Sequence, residues 1–428
     1  MKKNIILTIE VIIISVAFLW ACVGLKTVFL GDTLTSRFAT VYALTYHHTW
    51  YINQPPESSP NPFENQTVDK VKGKNGIISS KPPILSLIMT FEYQFLRWMG
   101  YSLDNNQDYK PIARIMIILN VIIPYFIAVL CVWKFLYEIK ATQSVRLIIL
   151  LGLLYGTQWS AFASHFTNHV PATSFLIIGL YFIWKSYSIS DTVPLIYYLL
   201  IGLCASLVYT IDLPLTIFIA CAILFLLTTK KPKALPWIII GALPILIVHL
   251  VIMNHITGNI LPVQISKEPF LFESSYWRHP AGPDALHHPK WLYAFNILLG
   301  AKGLFILYPI LIFGLCIYSP HLWKSLHNDI KLISTFFLFS FIILNTYYIF
   351  STNNYGGVSY GFRWHIGCMP LLIGISIPYV ESRKRKLRFW ILWTFFFLIS
   401  FYSTYECRTY PWSTDKEWTI RLIFGSLL

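Results

Sequence analysis

The sequence predicts an all-α integral membrane protein, a bundle of about eleven transmembrane helices with two surface helices in a long first outer loop. Three observations predict it. Hydrophobic residues fill 56% of the 428 positions and charged residues only 12%, where soluble domains carry about 25% charged residues. The mean hydropathy is +0.58. Apolar runs recur along nearly the whole length, many of them near the roughly 20 residues that a helix needs to cross a bilayer. No stretch is left for a soluble domain of ordinary size, so residues 1–428 read as a single polytopic membrane domain.

The elements follow in chain order. "MKKNIILTIEVIIISVAFLWACVGL" has a basic tip, but its apolar stretch exceeds a signal-peptide core and no small-x-small cleavage site follows, so it reads as a retained first span near 5–28. Further spans are expected near 112–137, 145–163, 171–187, 193–211, 214–229, 235–253, 301–319, 331–350, 364–381 and 387–404. With Lys2 and Lys3 in the cytoplasm, the inner turns carry Lys140 and Arg146, Lys185, Lys230, Lys231 and Lys233, Lys324 and Lys331, and the cluster Arg383, Lys384, Arg385, Lys386 and Arg388. This is the positive-inside bias, and it accounts for most of the net charge of +14 without a nucleic-acid partner. The N-terminus is then cytoplasmic and the C-terminus extracytoplasmic.

Two outer connections are much longer than the rest, residues 31–110 and 255–300, and long connections in compact proteins are usually functional or disordered. In the first, the Pro-, Ser- and Asn-rich "QPPESSPNPFENQTVDK" is flanked by helical apolar spacing over Ser36 to Thr49 and Pro83 to Met99, which predicts two juxtamembrane helices. The seven cysteines fall almost all inside apolar runs without paired spacing, so neither a disulfide framework nor a zinc site is indicated; Cys407 alone reads as exposed.

The outer turns concentrate chemistry. The first supplies Asp32, Arg37, His47, His48, Asp69, Lys70 and Lys81; "SHFTNHVPAT" adds His165, Asn168 and His169; "YTIDLP" adds Asp212; the second long loop adds Asp284, His287 and His288 among others; "STNNYGGVSYGFRWH" adds Tyr355 and Arg363. Each has a structural reading too. Asp32 can be a helix-end residue, Lys81 can snorkel to the interface, and Asp212 before Leu-Pro is a good N-cap. No spacing indicates a metal site, and a carboxylate-bound divalent ion stays open.

A span ending in an acidic residue, then "SRFAT" opening one surface helix, then "KPP" opening another, resembles the GT-C glycosyltransferases that use polyprenyl-phosphate sugars, particularly the aminoarabinose transferases and protein O-mannosyltransferases. The resemblance covers roughly the first quarter of the chain. It implies transfer of a sugar from a polyprenyl-phosphate donor to a lipid, glycan or protein acceptor on the outer face of a bacterial plasma (inner) membrane, with no organic cofactor. It further implies Asp32 as an active-site acid and Lys81 near the lipid phosphate, with Arg37 supporting. Relatives carry the acid three residues before the arginine, whereas Asp32 lies five before Arg37, which leaves Asp69 as the competing catalytic carboxylate.

The physical reading agrees. A donor with an apolar tail, an anionic phosphate and a sugar needs a greasy wall, cations at the rim, here Lys81 and Arg363, and a carboxylate to take the acceptor's proton, with one displacement inverting the anomeric centre. His169, Asp212 and Tyr355 are further rim candidates. A transporter or flippase of a lipid-linked or anionic solute is the alternative, and would place functional charges at mid-span.

Overall fold

The computed structural model describes residues 2–25, 30–53, 60–229 and 231–426, with side chains from Thr8 onward. Lys230 and the Pro/Ser-rich residues 54–59 lie outside the described residues. Among those described, four helices are long and apolar enough to cross a membrane: Tyr109–Glu138, Pro232–Thr257, Asn328–Ser351 and Leu387–Thr409. Gln143–Tyr155 and Gln158–Ser164 form a fifth span if the pair, bent by 53°, counts as one. Shorter apolar helices run over Thr8–Gly24, Leu195–Ile211, Leu213–Thr229 and Pro309–Tyr318. The chain is therefore an all-helical, multi-pass membrane architecture.

The expectation of eleven spans is not met. Hydropathy counts apolar residues whether or not one backbone helix carries them, and several runs are broken. The run expected at 301–319 divides into Leu304–Leu307, Pro309–Leu311, Ile312–Leu315 and Cys316–Tyr318, with Pro309 starting a new turn. The run at 364–381 divides into Arg363–His365, Cys368–Ile375 and Ile377–Arg383. Cys407, expected to be exposed, is fully buried in the core.

The helices Leu195–Ile211 and Pro232–Thr257 cross closely because their contact is made by glycine. A Cβ on Gly202 would sit 1.9 Å from the Ile238 carbonyl oxygen, and one on Gly241 would sit 2.2 Å from that of Leu199. Small residues at such crossings let the backbones approach, which is where packing between apolar helices gains its contacts.

Within the chain's first helix, Lys2–Gly24, a buried carboxylate ties three helices together. Glu10 accepts from Trp133 Nε1 at 2.9 Å, from Tyr137 Oη at 2.6 Å and from Arg146 Nε at 2.8 Å, and the Arg146 guanidinium stacks 4.1 Å from the Tyr137 ring centroid. A carboxylate in an apolar helix persists when both of its oxygens accept hydrogen bonds in this way. Glu10→Gln keeps the shape and removes the charge; we expect a loss of about 2 kcal/mol, typical of charge-assisted hydrogen bonds, read as a lower unfolding midpoint in detergent.

The first connection is more ordered than its composition indicates. Its first helix begins at Asp32 and runs to Tyr42, and Thr33 to Tyr42 are all buried. It is a packed helix instead of one lying on the surface. The Pro83–Trp98 helix does present an apolar stripe, with Phe91, Phe95 and Trp98 exposed at successive turns, as an interfacial helix does. Between them lies a hairpin that the sequence reading missed: Lys70–Lys72 pairs antiparallel with Ile77–Ser79, with Lys70 opposite Ser79 and Val71 opposite Ile78. Tyr51, Val71 and Ile78 pack on Met253 and Ile256 at the end of the Pro232–Thr257 helix. The Lys74 amide donates to the Ile256 carbonyl at 2.8 Å, so the hairpin turn satisfies that helix's terminal backbone.

Candidate active site

The hairpin joins two side chains that are twelve positions apart in sequence. Because the strands fold back, the Ser80 amide donates to the Asp69 carbonyl at 3.0 Å, and Lys81 Nζ lies 2.7 Å from Asp69 Oδ2. Ser36 Oγ donates to the same Asp69 carbonyl at 2.6 Å and lies 2.6 Å from Ser79 Oγ, which fixes the hairpin to the Asp32–Tyr42 helix. Pro83 is the first residue of the following helix, where its ring supplies the helical φ and no amide is lost. Lys81 is thus held by the chain on both sides.

Asp32 stands at the start of its helix. One carboxylate oxygen accepts from the Val68 amide at 3.0 Å, and its backbone carbonyl accepts from Thr67 Oγ1 at 3.1 Å. The side chain is exposed to the cavity described below, and its second oxygen has no hydrogen-bond partner among the described residues.

His169 Nδ1 lies 2.5 Å from Asp212 Oδ2. His169 opens one helix and Asp212 follows the end of another, so this contact ties the ends of His169–Ser188 and Leu195–Ile211. The capping expectation for Asp212 is not met, because its side chain makes no cap hydrogen bond to the Leu213–Leu215 turn. It serves the imidazole instead.

Arg363 follows the glycine-rich turn. Gly356, Gly357 and Gly361 have φ of 86°, 70° and 64°, in the left-handed region that other residues rarely adopt, and a Cβ on Gly356 would meet Arg363 Cγ at 3.2 Å. The guanidinium lies 5.5 Å from the Trp412 ring centroid and makes no ion pair within 4 Å among the described residues. Burial lowers its pKa, against the opposing fields of Asp69, Asp284, Asp212 and Asp32. Burial likewise lowers that of Lys81, with Asp69 opposing and Arg363 and Arg37 adding to the drop. At both cations desolvation outweighs the neighbouring carboxylates, and an anion brought against either would favour its charged form.

These parts surround one cavity of about 830 Å³, whose lining includes Asp32, Asp69, Lys81, His169, Asp212 and Arg363. Its size lies in the range of ligand sites, about 300–1,000 Å³. Two further candidates stand behind the wall. Arg37 is fully buried; it donates to Asn168 Oδ1 at 2.7 Å and to the Thr33 carbonyl at 3.2 Å, and so positions the segment that carries His169. Tyr355 is also fully buried, its hydroxyl 2.7 Å from His288 Nδ1 and 3.2 Å from Asn296 Nδ2, and burial pushes its pKa up to about 12. Arg37 and Tyr355 are thus supports and do not reach the cavity.

The cavity also holds residues to which sequence reasoning gives no site role, among them Asp284, counted with the second outer loop. Asp284 from the second long connection is held by Tyr276 Oη at 3.2 Å and by Asn354 Nδ2, and burial raises its pKa. Trp277 Nε1 donates to the Val68 carbonyl at 3.1 Å, joining the second connection to the first. His249 lines the wall from within an apolar helix. No periodicity marks Asp284 or Trp277, whereas a histidine inside "LIVHLV" is a polar break in a span and a legible signal. Among the described residues, no group of three or more His, Cys, Asp or Glu is arranged to hold a metal ion.

Comparison with protein-family models, with curated proteins and with solved structures finds no match to this chain.

Proposed function

We propose that the protein is a membrane glycosyltransferase of the GT-C type, which transfers a sugar from a polyprenyl-phosphate donor to a lipid, glycan or protein acceptor on the extracytoplasmic face of the plasma membrane. The observation that carries this reading is the meeting of Asp32, Asp69, Lys81, His169, Asp212 and Arg363, from distant segments, around one cavity at the ends of apolar helices. The basic inner turns orient that end outward.

In this reading Lys81 and Arg363 receive the lipid phosphate. Asp32 takes the proton of the acceptor hydroxyl or amine as that group attacks C1. The new C1 bond forms while the C1–O bond to phosphate breaks, the electron pair leaves with the phosphate, and the configuration inverts. Cationic hydrogen bonds to the departing oxygens stabilise the charge that develops there. Each of the three carboxylates has one oxygen without a hydrogen-bond partner among the described residues, but Asp69 is engaged by the Lys81 ammonium and Asp212 by the His169 imidazole, while Asp32 accepts only from the Val68 amide. Geometry therefore favours Asp32 as the base and gives Asp69 the task of holding Lys81.

The phosphate assignment is tested by binding of undecaprenyl phosphate to Lys81→Ala and Lys70→Ala. Lys70 Nζ donates to the Glu64 carbonyl outside the cavity wall. We expect Lys81→Ala to weaken binding about tenfold or more, the scale of one charge-assisted contact, with Lys70→Ala near wild type. Equal losses would reduce Lys81 to generic surface charge.

A further inference from the structure

His249 lines the cavity from the Pro232–Thr257 helix, and both its ring nitrogens are buried without a hydrogen-bond partner among the described residues. It lies about two turns before the end of that helix. It is 2% exposed. The Tyr209 ring, from the neighbouring helix, packs against it edge-on with centroids 5.7 Å apart, and both residues line the cavity. The Tyr209 hydroxyl makes no hydrogen bond among the described residues. Met253 and Ile256 continue the same wall toward the hairpin.

Buried polar atoms without partners are few in native proteins, and each calls for an explanation. A neutral imidazole offers one donor and one acceptor at once. A prenyl chain against it would use neither. A phosphate oxygen would use only the donor, and Lys81 and Arg363 already offer that group stronger partners. A sugar hydroxyl both donates and accepts, so neighbouring hydroxyls satisfy both ring nitrogens after a turn of the ring about Cβ–Cγ, and the Tyr209 hydroxyl adds a third contact. An ionisable residue within a spanning helix and facing a cavity marks where a polar ligand passes or rests.

We propose that His249 and Tyr209 form the wall that recognises the hydroxyl pattern of the transferred sugar, with the sugar lying against the Pro232–Thr257 helix below the phosphate contacts. This assignment rests on the glycosyltransferase reading and deepens it. The residues set specificity and donor affinity and take no proton in the displacement.

The test is binding of bare undecaprenyl phosphate and of undecaprenyl phosphate carrying mannose, arabinose or aminoarabinose, to full-length protein in nanodiscs. For wild type we expect at least one sugar-bearing lipid to bind about tenfold more tightly than the bare phosphate, the scale of one net hydrogen bond to a buried polar group. His249→Leu should erase that margin and leave the affinity for the bare phosphate unchanged; Tyr209→Phe should reduce the margin, and His249→Gln, which keeps a donor and an acceptor, should retain most of it. A margin that survives in His249→Leu overturns this proposal alone. So does an equal loss of affinity for bare and sugar-bearing lipids in His249→Leu, which would mark a packing role. Wild type that binds none of these lipids removes the glycosyltransferase reading and this proposal with it, and wild type that binds all of them equally overturns the sugar wall.

Discussion

Asp32→Asn is expected to reduce sugar transfer by about 10²–10⁴-fold, the contribution of a positioned general base, while undecaprenyl-phosphate binding and thermal stability stay near wild type. The substitution is conservative in structure. The asparagine side-chain oxygen can still accept from the Val68 amide, which the native carboxylate accepts at 3.0 Å, and the Thr67 contact is to the Asp32 backbone and is untouched. What is lost is the oxygen that can take a proton. Asp69→Asn should behave differently. Its carboxylate lies 2.7 Å from Lys81 Nζ, so the neutral amide releases the lysine and donor binding weakens together with turnover. Rates at saturating donor separate the two: the defect of Asp32→Asn persists at saturation, and that of Asp69→Asn is largely relieved. The reverse pattern would move the base to Asp69.

The largest effect on stability is expected at Lys302. Its ammonium pairs with Glu417 at a site where both side chains are fully excluded from solvent, and it also donates to the Ser359 carbonyl at 2.7 Å. The same Glu417 oxygen accepts from the Gly361 amide at 2.9 Å. The pair therefore pins the C-terminal segment to the glycine-rich turn that presents Arg363. Lys302→Met leaves Glu417 buried without its cation, a loss of about 3–5 kcal/mol for broken buried pairs. Thermal unfolding in detergent, followed by tryptophan fluorescence, should show a much lower midpoint. Lys302→Met combined with Glu417→Leu should recover a good part of the loss, since the stranded charge is gone. An unchanged midpoint in the single variant would mean that the segment is held by its other contacts, such as Thr419 Oγ1 to the Ala301 carbonyl at 2.7 Å.

Composition and apolar periodicity were enough to read an all-helical membrane architecture, since helices whose backbone groups are satisfied internally are one of the few structures a bilayer admits. The number of long spans was not legible. Pro309, and the turns that divide residues 363–383, interrupt apolar runs without making them polar, so the hydropathy signal passes over the breaks.

The candidate site was legible in part for a related reason. Asp32, Asp69, Lys81, His169, Asp212 and Arg363 could be nominated because each is a charged or imidazole residue in a connection between apolar runs, and the structure places all six on one cavity. Their pairings could not be read. The Lys81–Asp69 contact depends on a three-residue-stranded hairpin whose tip, "GKNG", is the only local mark of a turn, and the His169–Asp212 contact depends on how two helices are juxtaposed. Arg37 and Tyr355 show the limit in the other direction: residue type alone does not tell which side of a cavity wall a polar group occupies.

The most direct measurement is transfer of radiolabelled sugar from a panel of polyprenyl-phosphate sugars to membrane lipid, glycan and protein acceptors by the purified full-length chain in liposomes. The proposed function predicts label in at least one acceptor class, with release of free polyprenyl phosphate in equal amount. Movement of the lipid-linked sugar across the bilayer with its C1–phosphate bond intact, and no label in any acceptor, would contradict it and identify the cavity as part of a transport path.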